Sequence, residues 1–456
     1  MSDRAINRRG FLKTVGAGAA AAALAGRAPG DEAAPARKPN VILIYADDLG
    51  WGDLGCFGCK DISTPNIDAL AAAGIRMTSQ YSAAPVCSPS RAALLTGRVP
   101  KRAGIPSNVA AGWNVVGLRK DMPIIPELLK REGYATAIFG KWHQGSAPES
   151  RPNAKGFDEF FGFLHGCIGY YDHIFKWSGP LVHDLWRGAE EVHEDGKYFT
   201  DLVTREALRF IAANKDRPFF LYLPYNAPHY PMEAPKEWLD RYAAIEPNRR
   251  PYAAMVSCMD DAIGRIAARV RELGVADSTL IIFTSDNGPS DEARTKLDPA
   301  GPKPGSAGPW RGTKFSFLEG GIRMPLVAAW PGRIKPGQTS DALGIHMDLL
   351  PTIAEAAGAA APADIDGCSL WPVFRGEASK HAALYWDDPP VVRRGRWKLI
   401  LPKSRPAAQK KAADEPMLFD LEADPGEQSN LASAKPDVLA ELRSMHDKWR
   451  QSWQKA

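Results

Sequence analysis

Cys87 is the residue whose setting most clearly points to chemistry. It opens the pentapeptide Cys-Ser-Pro-Ser-Arg at positions 87–91. Ser88 suits a helix N-cap, Pro89 suits the first helical position, and Gly97 can end the helix in a left-handed conformation. The pentapeptide therefore predicts a short helix whose positive end lies beside Cys87, where a tetrahedral anion would be stabilised. A cysteine before a helix can equally be a small buried hydrophobic residue.

Two pairs of residues carry side-chain oxygens that suit a hard cation, Asp47 with Asp48 and Asp286 with Asn287. Each pair directly follows an apolar, strand-like run, and the carboxyl ends of parallel strands are where an α/β protein binds its ligand. Adjacent carboxylates repel each other and are costly to desolvate, so a divalent cation would stabilise them. An all-oxygen set favours Ca²⁺, or Mg²⁺, over zinc. A solvated Asp-Asp loop and a tight Asn-Gly turn are the plainer alternatives.

Five further residues could supply positive charge or move protons. Lys141 and His143 follow a strand-like run and would project to the same side of an extended chain. His229 lies just past another such run, although an ordinary loop histidine is the commoner interpretation of such a position. Lys314 follows a stretch rich in glycine and proline, and Arg91 lies in the same helical turn as Cys87. Together these side chains could stabilise a bound anion.

The elements that must position these residues alternate along the chain. Apolar, β-branched runs separate amphipathic segments, which predicts an α/β fold with a large, mostly parallel mixed sheet flanked by helices. Strands are predicted at 41–46, 134–139, 219–223, 279–284 and 326–330, and helices at 64–73, 125–131, 198–214, 252–273 and 346–357. Three short strands and a helix near the C-terminus predict a small antiparallel sheet plus one helix. The predicted domains are a large domain at 40–381 and an α+β subdomain at 382–456.

The N-terminus predicts export. Arg8 and Arg9 precede a weakly apolar Ala/Gly run that ends in Ala23-Leu24-Ala25, which is typical of a twin-arginine signal peptide. Residues 1–39 are therefore predicted to be a signal peptide and linker, exported by the twin-arginine translocase to the periplasm or another extracytoplasmic space. Removing residues 1–25 takes away four basic residues and one acidic residue, so the net charge falls from +4 to +1. A nearly neutral chain gives no support for nucleic-acid binding.

The six cysteines are too sparse for a disulfide framework; they are Cys56, Cys59, Cys87, Cys167, Cys258 and Cys368. Cys56 and Cys59 have the spacing of a zinc half-site, but the sequence has no second cysteine pair to complete a four-ligand site. Packing, or a local disulfide in an exported protein, is the expected role of this pair.

Residues 157–197 form a segment rich in aromatic residues and histidine. Such a segment could form the wall of a sugar-binding pocket, and it could equally be a surface insertion with half-buried aromatic rings. The residues concerned are His165, Tyr170, Tyr171, His173, Trp177, His183 and Trp186.

The Cys-x-Pro-Ser-Arg run, followed by an apolar pair and Thr-Gly-Arg at 96–98, resembles the signature of the type I sulfatases of the alkaline phosphatase superfamily. Further matches follow in order: Gly-Lys-Trp-His at 140–143, Ala-Pro-His at 227–229, Asp-Asn-Gly at 286–288, Lys314 ahead of Glu-Gly-Gly-Ile-Arg at 319–323, and Leu-Phe-Asp-Leu at 418–421. The chain departs from the family pattern at Gln144, where leucine is usual. The resemblance covers nearly all of residues 38–456.

The resemblance implies hydrolysis of sulfate esters by a formylglycine made from Cys87, whose hydrate attacks sulfur and forms a covalent sulfated intermediate. It implies a Ca²⁺ or Mg²⁺ ion bound by Asp47, Asp48, Asp286, Asn287 and the modified Cys87. Lys141, Lys314 and Arg91 would stabilise charge, His229 would protonate the leaving oxygen, and His143 would take a proton from the hydrate.

The implied partners are a formylglycine-generating maturation enzyme and a sulfated carbohydrate or aryl sulfate substrate. Two alternatives stay open at this point. One is a phosphoesterase or phosphonate monoester hydrolase of the same superfamily, because a metal and anion site could also hold phosphate. The other is a catalytically silent, glycan-binding homologue, which would be expected to have lost some of the cysteine, lysine and histidine set.

Overall fold

The part of the chain that the structure describes carries the whole predicted site. The structure is a computed structural model, and it describes residues 37–176, 181–293, 297–298, 300–403 and 415–454. The predicted signal peptide, with Arg8 and Arg9, lies outside the described residues, as does Trp177. Within the described ranges, no helix combines the length and apolar character needed to cross a membrane.

Seventeen strands are present in the described residues. In chain order they are β1 (Asn40–Ala46), β2 (Ile75–Tyr81), β3 (Ala135–Lys141), β4 (Glu159–Phe163), β5 (Ile174–Phe175), β6 (Val182–His183), β7 (Trp186–Arg187), β8 (Glu190–Glu191), β9 (Phe219–Pro224), β10 (Thr279–Ser285), β11 (Arg323–Ala329), β12 (Gln338–Ser340), β13 (Gly344–Ile345), β14 (Leu384–Trp386), β15 (Val391–Arg394), β16 (Trp397–Ile400) and β17 (Met417–Asp420). The α-helices of the described residues are Pro65–Ala73, Cys87–Thr96, Ile125–Arg131, Phe199–Ala213, Lys236–Arg241, Arg249–Glu272, Glu319–Ile322, Leu349–Ala357, Trp371–Phe374 and Pro436–Gln454.

Eleven of these strands form one mixed sheet. Its order is β12-β2-β11-β10-β1-β9-β3-β4-β7-β8, and β13 also pairs with β2. The central strands β10, β1, β9, β3 and β4 are parallel to one another, whereas β11 is antiparallel to both β10 and β2. Strands β5 and β6 form a separate antiparallel pair. The predicted large, mostly parallel mixed sheet is confirmed.

Strand β1 shows why its sequence is continuously apolar. Its side chains alternate between the two faces of the sheet. Ile42, Ile44 and Ala46 enter the core formed with the helices that begin at residues 65, 199 and 249. Val41, Leu43 and Tyr45 enter the opposite core, formed with the helices that begin at residues 87, 125 and 349. A strand covered by helices on both faces needs apolar residues at every position.

The strand register brings the predicted ligand residues to one level. Ala46 of β1 pairs with Ser285 of β10, and both strands run in the same direction. Asp47 and Asp286 are the next residues in their chains, so they leave the sheet side by side. The edge of the sheet at which they emerge is the carboxyl edge that an α/β fold offers to a ligand.

A second, four-stranded antiparallel sheet lies near the C-terminus, in the order β14-β15-β16-β17, followed by the helix Pro436–Gln454. The predicted small antiparallel sheet plus helix is confirmed, but it has one strand more than expected. Strand β15 was missed because its sequence, Val-Val-Arg-Arg, has only two apolar residues and follows two prolines. The domain division at residue 381/382 stays a prediction.

A buried ion network joins the small sheet to the large one. Lys398 Nζ of β16 lies 2.8 Å from Glu319 Oε1 and 2.9 Å from Glu427 Oε1, and all three side chains have no exposed surface. Tyr81 at the end of β2 donates its hydroxyl to Glu319 Oε2 at 2.7 Å. Although burial opposes it, Lys398 and Arg323 lower the pKa of Glu319 to about 2. Glu319 is therefore a charged anchor between the two sheets.

Candidate functional site

The helix behind Cys87 differs from its prediction at the first turn. It spans Cys87–Thr96 and begins at Cys87 itself, with Val86 rather than Ser88 as the N-cap. The expected Ser88 cap is wrong because another part of the chain binds these atoms. Asn108 Oδ1 accepts the Ser88 N–H at 3.0 Å, while Ser88 Oγ accepts the N–H of Val109. The predicted end is confirmed, since Gly97 has a φ of 68°.

Cys87 is buried at the start of this helix. Only 1% of its surface is exposed, and its Sγ lies 3.5 Å from Asp47 Oδ1. Burial raises the pKa of the Cys87 thiol well above its usual value, against the opposing effect of Lys141. A neutral, enclosed thiol is a poor nucleophile. The sulfur is therefore not poised to react as it stands.

Arg91 is fully buried one turn further along the helix. Its Nη2 lies 2.8 Å from Asp286 Oδ2 and 3.5 Å from Asp47 Oδ1. Although burial opposes it, the two carboxylates raise the pKa of Arg91 well above its usual value. Nε and Nη1 have no hydrogen-bond partner among the described residues. Arg91 thus brings a permanent charge and spare donors into the site.

Three carboxylates meet at the carboxyl edge of the sheet. Lys141 Nζ lies 2.6 Å from Asp47 Oδ2, and Lys314 Nζ lies 2.9 Å from Asp48 Oδ2. The Asp48 N–H donates to Asp286 Oδ1 at 3.1 Å, so the third carboxylate is held against the same loop. Each carboxylate is thus in contact with the next or with an opposite charge.

The environment changes the pKa values of these carboxylates in opposite directions. Burial raises the pKa of Asp48 to about 7, with Asp47 and Asp286 adding to the effect and Lys314 opposing it. Burial together with Asp47 also raises the pKa of Asp286. Lys141 and Arg91 lower the pKa of Asp47 although burial opposes them. Asp48 and Asp286 are therefore the two carboxylates whose charged form the protein alone stabilises least.

Asn287 completes the oxygen set that the sequence predicts. Its Nδ2 donates to Asp48 Oδ1 at 2.7 Å and to the Gly288 carbonyl at 2.9 Å. Its Oδ1 is buried and accepts no hydrogen bond from any described residue. A buried amide oxygen without a donor is costly unless a cation or a water binds it.

The residues present fit a divalent cation. Ligand atoms of Asp47, Asp48, Cys87 and His229 all lie within 4.8 Å of one another. The carboxylate oxygens and the unpartnered Asn287 Oδ1 form the hard oxygen set that Ca²⁺ and Mg²⁺ prefer. This geometry places all five predicted ligand residues, Cys87 included, in one site.

His229 enters the site from the end of β9. Its Nδ1 lies 2.8 Å from the Tyr230 carbonyl oxygen, which can only accept a hydrogen bond, so the proton is on Nδ1. Its Nε2 is buried without a hydrogen-bond partner, 3.6 Å from Asp48 Oδ2. Burial and the Lys314 charge hold the pKa of His229 well below its usual value. Nε2 is thus the atom that faces the site.

His143 reaches the site in a different way from the one predicted. Strand β3 ends at Lys141, and His143 has a φ of 51°, so the two residues do not lie on an extended chain. The bend lets Trp142 bury its ring while His143 faces a cavity of about 240 Å³. Burial and the Lys141 charge hold the pKa of His143 well below its usual value. His165, Phe175 and Asn108 line the same cavity.

Three residues of this region were not singled out as site residues from the sequence. Glu292 Oε2 lies 3.2 Å from Lys314 Nζ at the rim. His346 Nδ1 lies 2.9 Å from Ser90 Oγ beneath the Cys87 helix, and burial lowers the pKa of His346 to about 3. Asn108 binds the first turn of that helix. Asn108 and Glu292 lie in loops, and His346 begins the short 3-10 helix His346–Asp348, with no local sequence signal to mark any of them.

Four other residues singled out from the sequence lie around the site or away from it. Cys56 and Cys59 are free thiols packed against a hydrophobic core, which agrees with the packing interpretation rather than the disulfide. Tyr170 is buried, and its hydroxyl donates to the carbonyls of Asn226 and His229, so it supports the loop behind the site. His165 faces the cavity and pairs with Asp184 at 2.8 Å.

Comparison with known proteins agrees with the resemblance seen in the sequence motifs. The family model "Sulfatase" matches residues 39–359, and the model "N-sulphoglucosamine sulphohydrolase, C-terminal" matches residues 310–454. N-acetylgalactosamine-6-sulfatase of Rattus norvegicus is 40% identical over 357 residues, which are 74% of this chain and 66% of that protein. Arylsulfatase A of Homo sapiens is 34% identical over 458 residues, which cover 90% of this chain and 88% of that protein.

A solved structure has a similar fold over most of the chain. The crystal structure of Ps i-CgsB has a TM-score of 0.80 and 35% identity, and the match covers 91% of this chain and 93% of that one. The resemblance found in the sequence motifs is confirmed by these matches. With a family model over residues 39–359, a relative 34% identical over 90% of this chain and the predicted motifs gathered around Cys87, this chain belongs to the sulfatase family.

Proposed function

We propose that this sulfatase removes sulfate from a sulfated glycan, with the reaction centred on position 87. The observation that supports the proposal is convergence. Buried side chains from four strand ends, from the Cys87 helix and from the Lys314 loop meet near the Cys87 sulfur at the carboxyl edge of the sheet. Independent loops would have no reason to gather this set of charges in one place.

Charge balance supports an anionic substrate. In the family, formylglycine supplies the nucleophile, and a divalent cation supplies Lewis-acid charge. The buried side chains of Asp47, Asp48 and Asp286 are balanced by those of Arg91, Lys141 and Lys314. A dication added to a balanced site leaves it net positive. Arg91, with two spare N–H donors, and the two ammonium groups would then bind the nonbridging oxygens of a sulfate ester.

The two histidines are placed to handle protons on the two sides of the reaction. His229 Nε2 would donate a proton to the leaving oxygen, once the negative charge of bound sulfate has raised the pKa of its ring. His143 has a buried Nδ1 without a hydrogen-bond partner among the described residues, and its low pKa keeps that nitrogen free to accept a proton. It would take a proton from the hydroxyl group at position 87 when sulfate leaves.

A sulfated sugar is the substrate class that the relatives favour. One relative is named for an N-acetylgalactosamine 6-sulfate, and Ps i-CgsB has been solved in complex with k-i-k-neocarrahexaose, a structure with a TM-score of 0.79 to this chain. The cavity beside His143 offers a ring (Phe175), an imidazole (His165) and an amide (Asn108), which suit the apolar and hydroxyl faces of a sugar.

The test is a desulfation screen on defined sulfated saccharides, with an aryl sulfate and an aryl phosphate beside them. The enzyme used has its conversion at position 87 confirmed by mass, and Cys87→Ala serves as the blank. We expect turnover of a sulfated saccharide above that of the aryl sulfate, and almost none of the phosphate. Faster turnover of the phosphate, or sulfate release by Cys87→Ala at the wild-type rate, would contradict the proposal.

The proposed cation is Ca²⁺, with Mg²⁺ as the alternative, because both accept an all-oxygen set. Metal analysis of enzyme purified without added metals separates them. The proposed partners are a formylglycine-generating maturation enzyme and the twin-arginine translocase. The proposed location of the mature enzyme is the periplasm or another extracytoplasmic space. Fractionation of the native host tests the location, and activity confined to the cytoplasm would contradict it.

A further inference from the structure

A group of metal-ligating side chains lies outside the Cys87 site, in the segment between β4 and the helix Phe199–Ala213. His173 directly precedes β5, and His183 ends β6, where it pairs with Ile174. Asp195 lies in the turn that follows β8. His173 has no exposed surface and the His183 side chain is 15% exposed, whereas that of Asp195 is 62% exposed. Three residues far apart in the local sequence thus meet at the end of a small hairpin.

The hydrogen bonds of the two histidines fix which nitrogen carries the proton. His173 Nε2 lies 3.2 Å from the Lys197 carbonyl oxygen, which can only accept, so the proton is on Nε2. His183 Nδ1 lies 2.9 Å from Glu191 Oε1, a carboxylate oxygen, so its proton is on Nδ1. Burial lowers the pKa of His173, which favours the neutral ring. On each ring the other nitrogen, Nδ1 of His173 and Nε2 of His183, is then the atom that can offer a lone pair to a metal ion.

Both of these nitrogens are buried, and neither has a hydrogen-bond partner among the described residues. Asp195 Oδ1 lies 4.0 Å from His173 Nδ1 and 3.8 Å from His183 Nε2. These separations are too long for hydrogen bonds. Ligands bound to zinc at about 2.0–2.2 Å in a tetrahedral site lie roughly 3.3–3.6 Å apart. Ligand atoms of His173, His183 and Asp195 all lie within 4.8 Å of one another. The three side chains therefore surround a space into which one such ion would fit after a small inward movement of its ligands.

We propose that His173 Nδ1, His183 Nε2 and Asp195 Oδ1 bind a zinc-class divalent cation, with water as its fourth ligand. Two imidazole nitrogens select zinc and neighbouring transition metals over the calcium and magnesium that suit the oxygen set at Asp47. The Lys197 carbonyl accepts from His173 Nε2 and Glu191 accepts from His183 Nδ1. Hydrogen bonds of this kind to the nitrogen that does not bind metal orient metal-binding histidines.

Two other groups of possible ligands occur in the described residues: His183, Glu191 and His193, which shares His183 with the proposed site, and a second cluster elsewhere that makes a useful contrast. Asp348, Cys368 and His381 also bring ligand atoms together. There the Asp348 oxygens already accept the N–H groups of Ile345 and Cys368, and His381 Nε2 contacts both the carboxylate and the thiol. That cluster is satisfied by its own hydrogen bonds, whereas the nitrogens of His173 and His183 are not.

The proposed ion would join the β5–β6 hairpin to the turn at Asp195. The same hairpin carries Phe175, which lines the cavity beside His143. A bound ion would therefore stiffen one wall of that cavity. We expect zinc to raise the melting temperature of the full-length enzyme, and a chelator to reverse the change.

The test is a zinc titration of the full-length enzyme in excess Ca²⁺, which keeps zinc away from Asp47 and Asp48. Bound zinc is counted by metal analysis after dialysis, and Co²⁺ replaces zinc for absorption spectra that report nitrogen and oxygen ligands. We expect one equivalent on the wild type. Asp195→Asn and Glu191→Ala should each bind zinc about 10- to 100-fold more weakly. Both residues are exposed, so these variants should fold even if His173→Gln does not.

Two variants serve as matched controls. Asp172→Asn removes the charge of another half-exposed aspartate beside the same hairpin, and Cys368→Ser disables the second cluster. Both should bind one equivalent with unchanged affinity. The proposal would be overturned if Asp195→Asn and Glu191→Ala bound zinc like the wild type. It would be overturned equally if Cys368→Ser lost the ion, or if a Co²⁺ spectrum showed a thiolate ligand.

Discussion

At the scale of single residues, His229 is assigned a role that depends on the leaving group. A sugar hydroxyl is a poor leaving group and needs a proton, whereas a nitrophenolate leaves without one. We expect His229→Gln to lower kcat for a sulfated sugar by about 100-fold or more, and much less for nitrophenyl sulfate. Steady-state kinetics with both substrates measure the difference.

His143 provides the control for that prediction. Its proposed proton transfer follows departure of the alcohol, so His143→Gln should slow all substrates once release of sulfate from position 87 limits turnover. A burst of alcohol release before slow turnover is the expected signature. Equal loss for both substrates in His229→Gln would contradict its role as the general acid.

Cys87 itself should be needed for turnover and largely unnecessary for folding. Cys87→Ala removes one sulfur atom from a buried position and leaves Asp47, Asp48, Asp286 and Asn287 in place. We expect activity to be lost while the melting temperature stays close to that of the wild type. Ca²⁺ should still bind through the four remaining ligand residues, although more weakly than to the wild type. Calorimetry measures both, and Cys258→Ala, at another buried thiol, is the matched control for the effect of removing sulfur.

The positions of the proposed site residues were more predictable than those of the residues that hold them. Asp47 and Asp286 follow strands and Lys141 ends one, so sequence order and motif were enough to place them. Ser88 was misjudged because its N–H and hydroxyl bond to residues 108 and 109, some 20 positions away. Such a contact is decided by how a loop folds back, and no local pattern records it.

At the scale of elements, the parallel pairing of β1 with β10 explains why separate motifs converge. The pairing of Ala46 with Ser285 sets Asp47 and Asp286 side by side. This was predictable because parallel strands of one sheet end at one edge. The left-handed turn at His143 was not, since it accompanies burial of the Trp142 ring against Phe157, with the indole N–H donating to the Ser150 carbonyl.

A histidine outside the active site should make stability depend on pH. Burial alone would lower the pKa of His381, but the Asp348 carboxylate raises it to about 10, from about 6.5 in the unfolded chain. A group with a raised pKa stabilises the fold fully below pH 6.5, and this contribution disappears as the pH rises towards 10. His381→Gln should therefore be less stable than the wild type at pH 6, with a gap that closes towards pH 10.

Urea unfolding of both proteins at pH 6, 8 and 10 measures this gap. The difference between the two proteins removes the effect of other titrating groups. A gap of constant size across the range would show that His381 contributes through packing rather than charge.

At the scale of the whole molecule, Lys398 joins the two sheets. Lys398→Met would leave the buried Glu427 carboxylate without its cation and the Glu319 carboxylate paired with Arg323 alone. Removal of one partner from a buried ion pair costs about 3–5 kcal/mol, so we expect a loss of this size in the free energy of unfolding. Lys435→Met, at an exposed position of the same subdomain, should change it by less than about 0.5 kcal/mol.

Denaturant unfolding of the two variants provides the measurement. A loss for Lys398→Met no larger than that for Lys435→Met would contradict the anchoring role of Lys398. The sequence placed Glu319 in a family motif, but its partner is 79 residues away. The fold class and the small sheet were predictable from alternating patterns, whereas the ion network between the sheets was not.

The burial of Cys87 limits the period in which this residue can be modified. With 1% of its surface exposed, the thiol is out of reach of any other enzyme once the helix has packed against the sheet. The proposed maturation must therefore act on a chain that is still unfolded, and folding ends the opportunity. A molecule that folds too early would be exported intact and permanently inactive. The active fraction of a preparation would then depend on the rate of Cys87 oxidation relative to the rate of folding. Slower synthesis would raise this fraction.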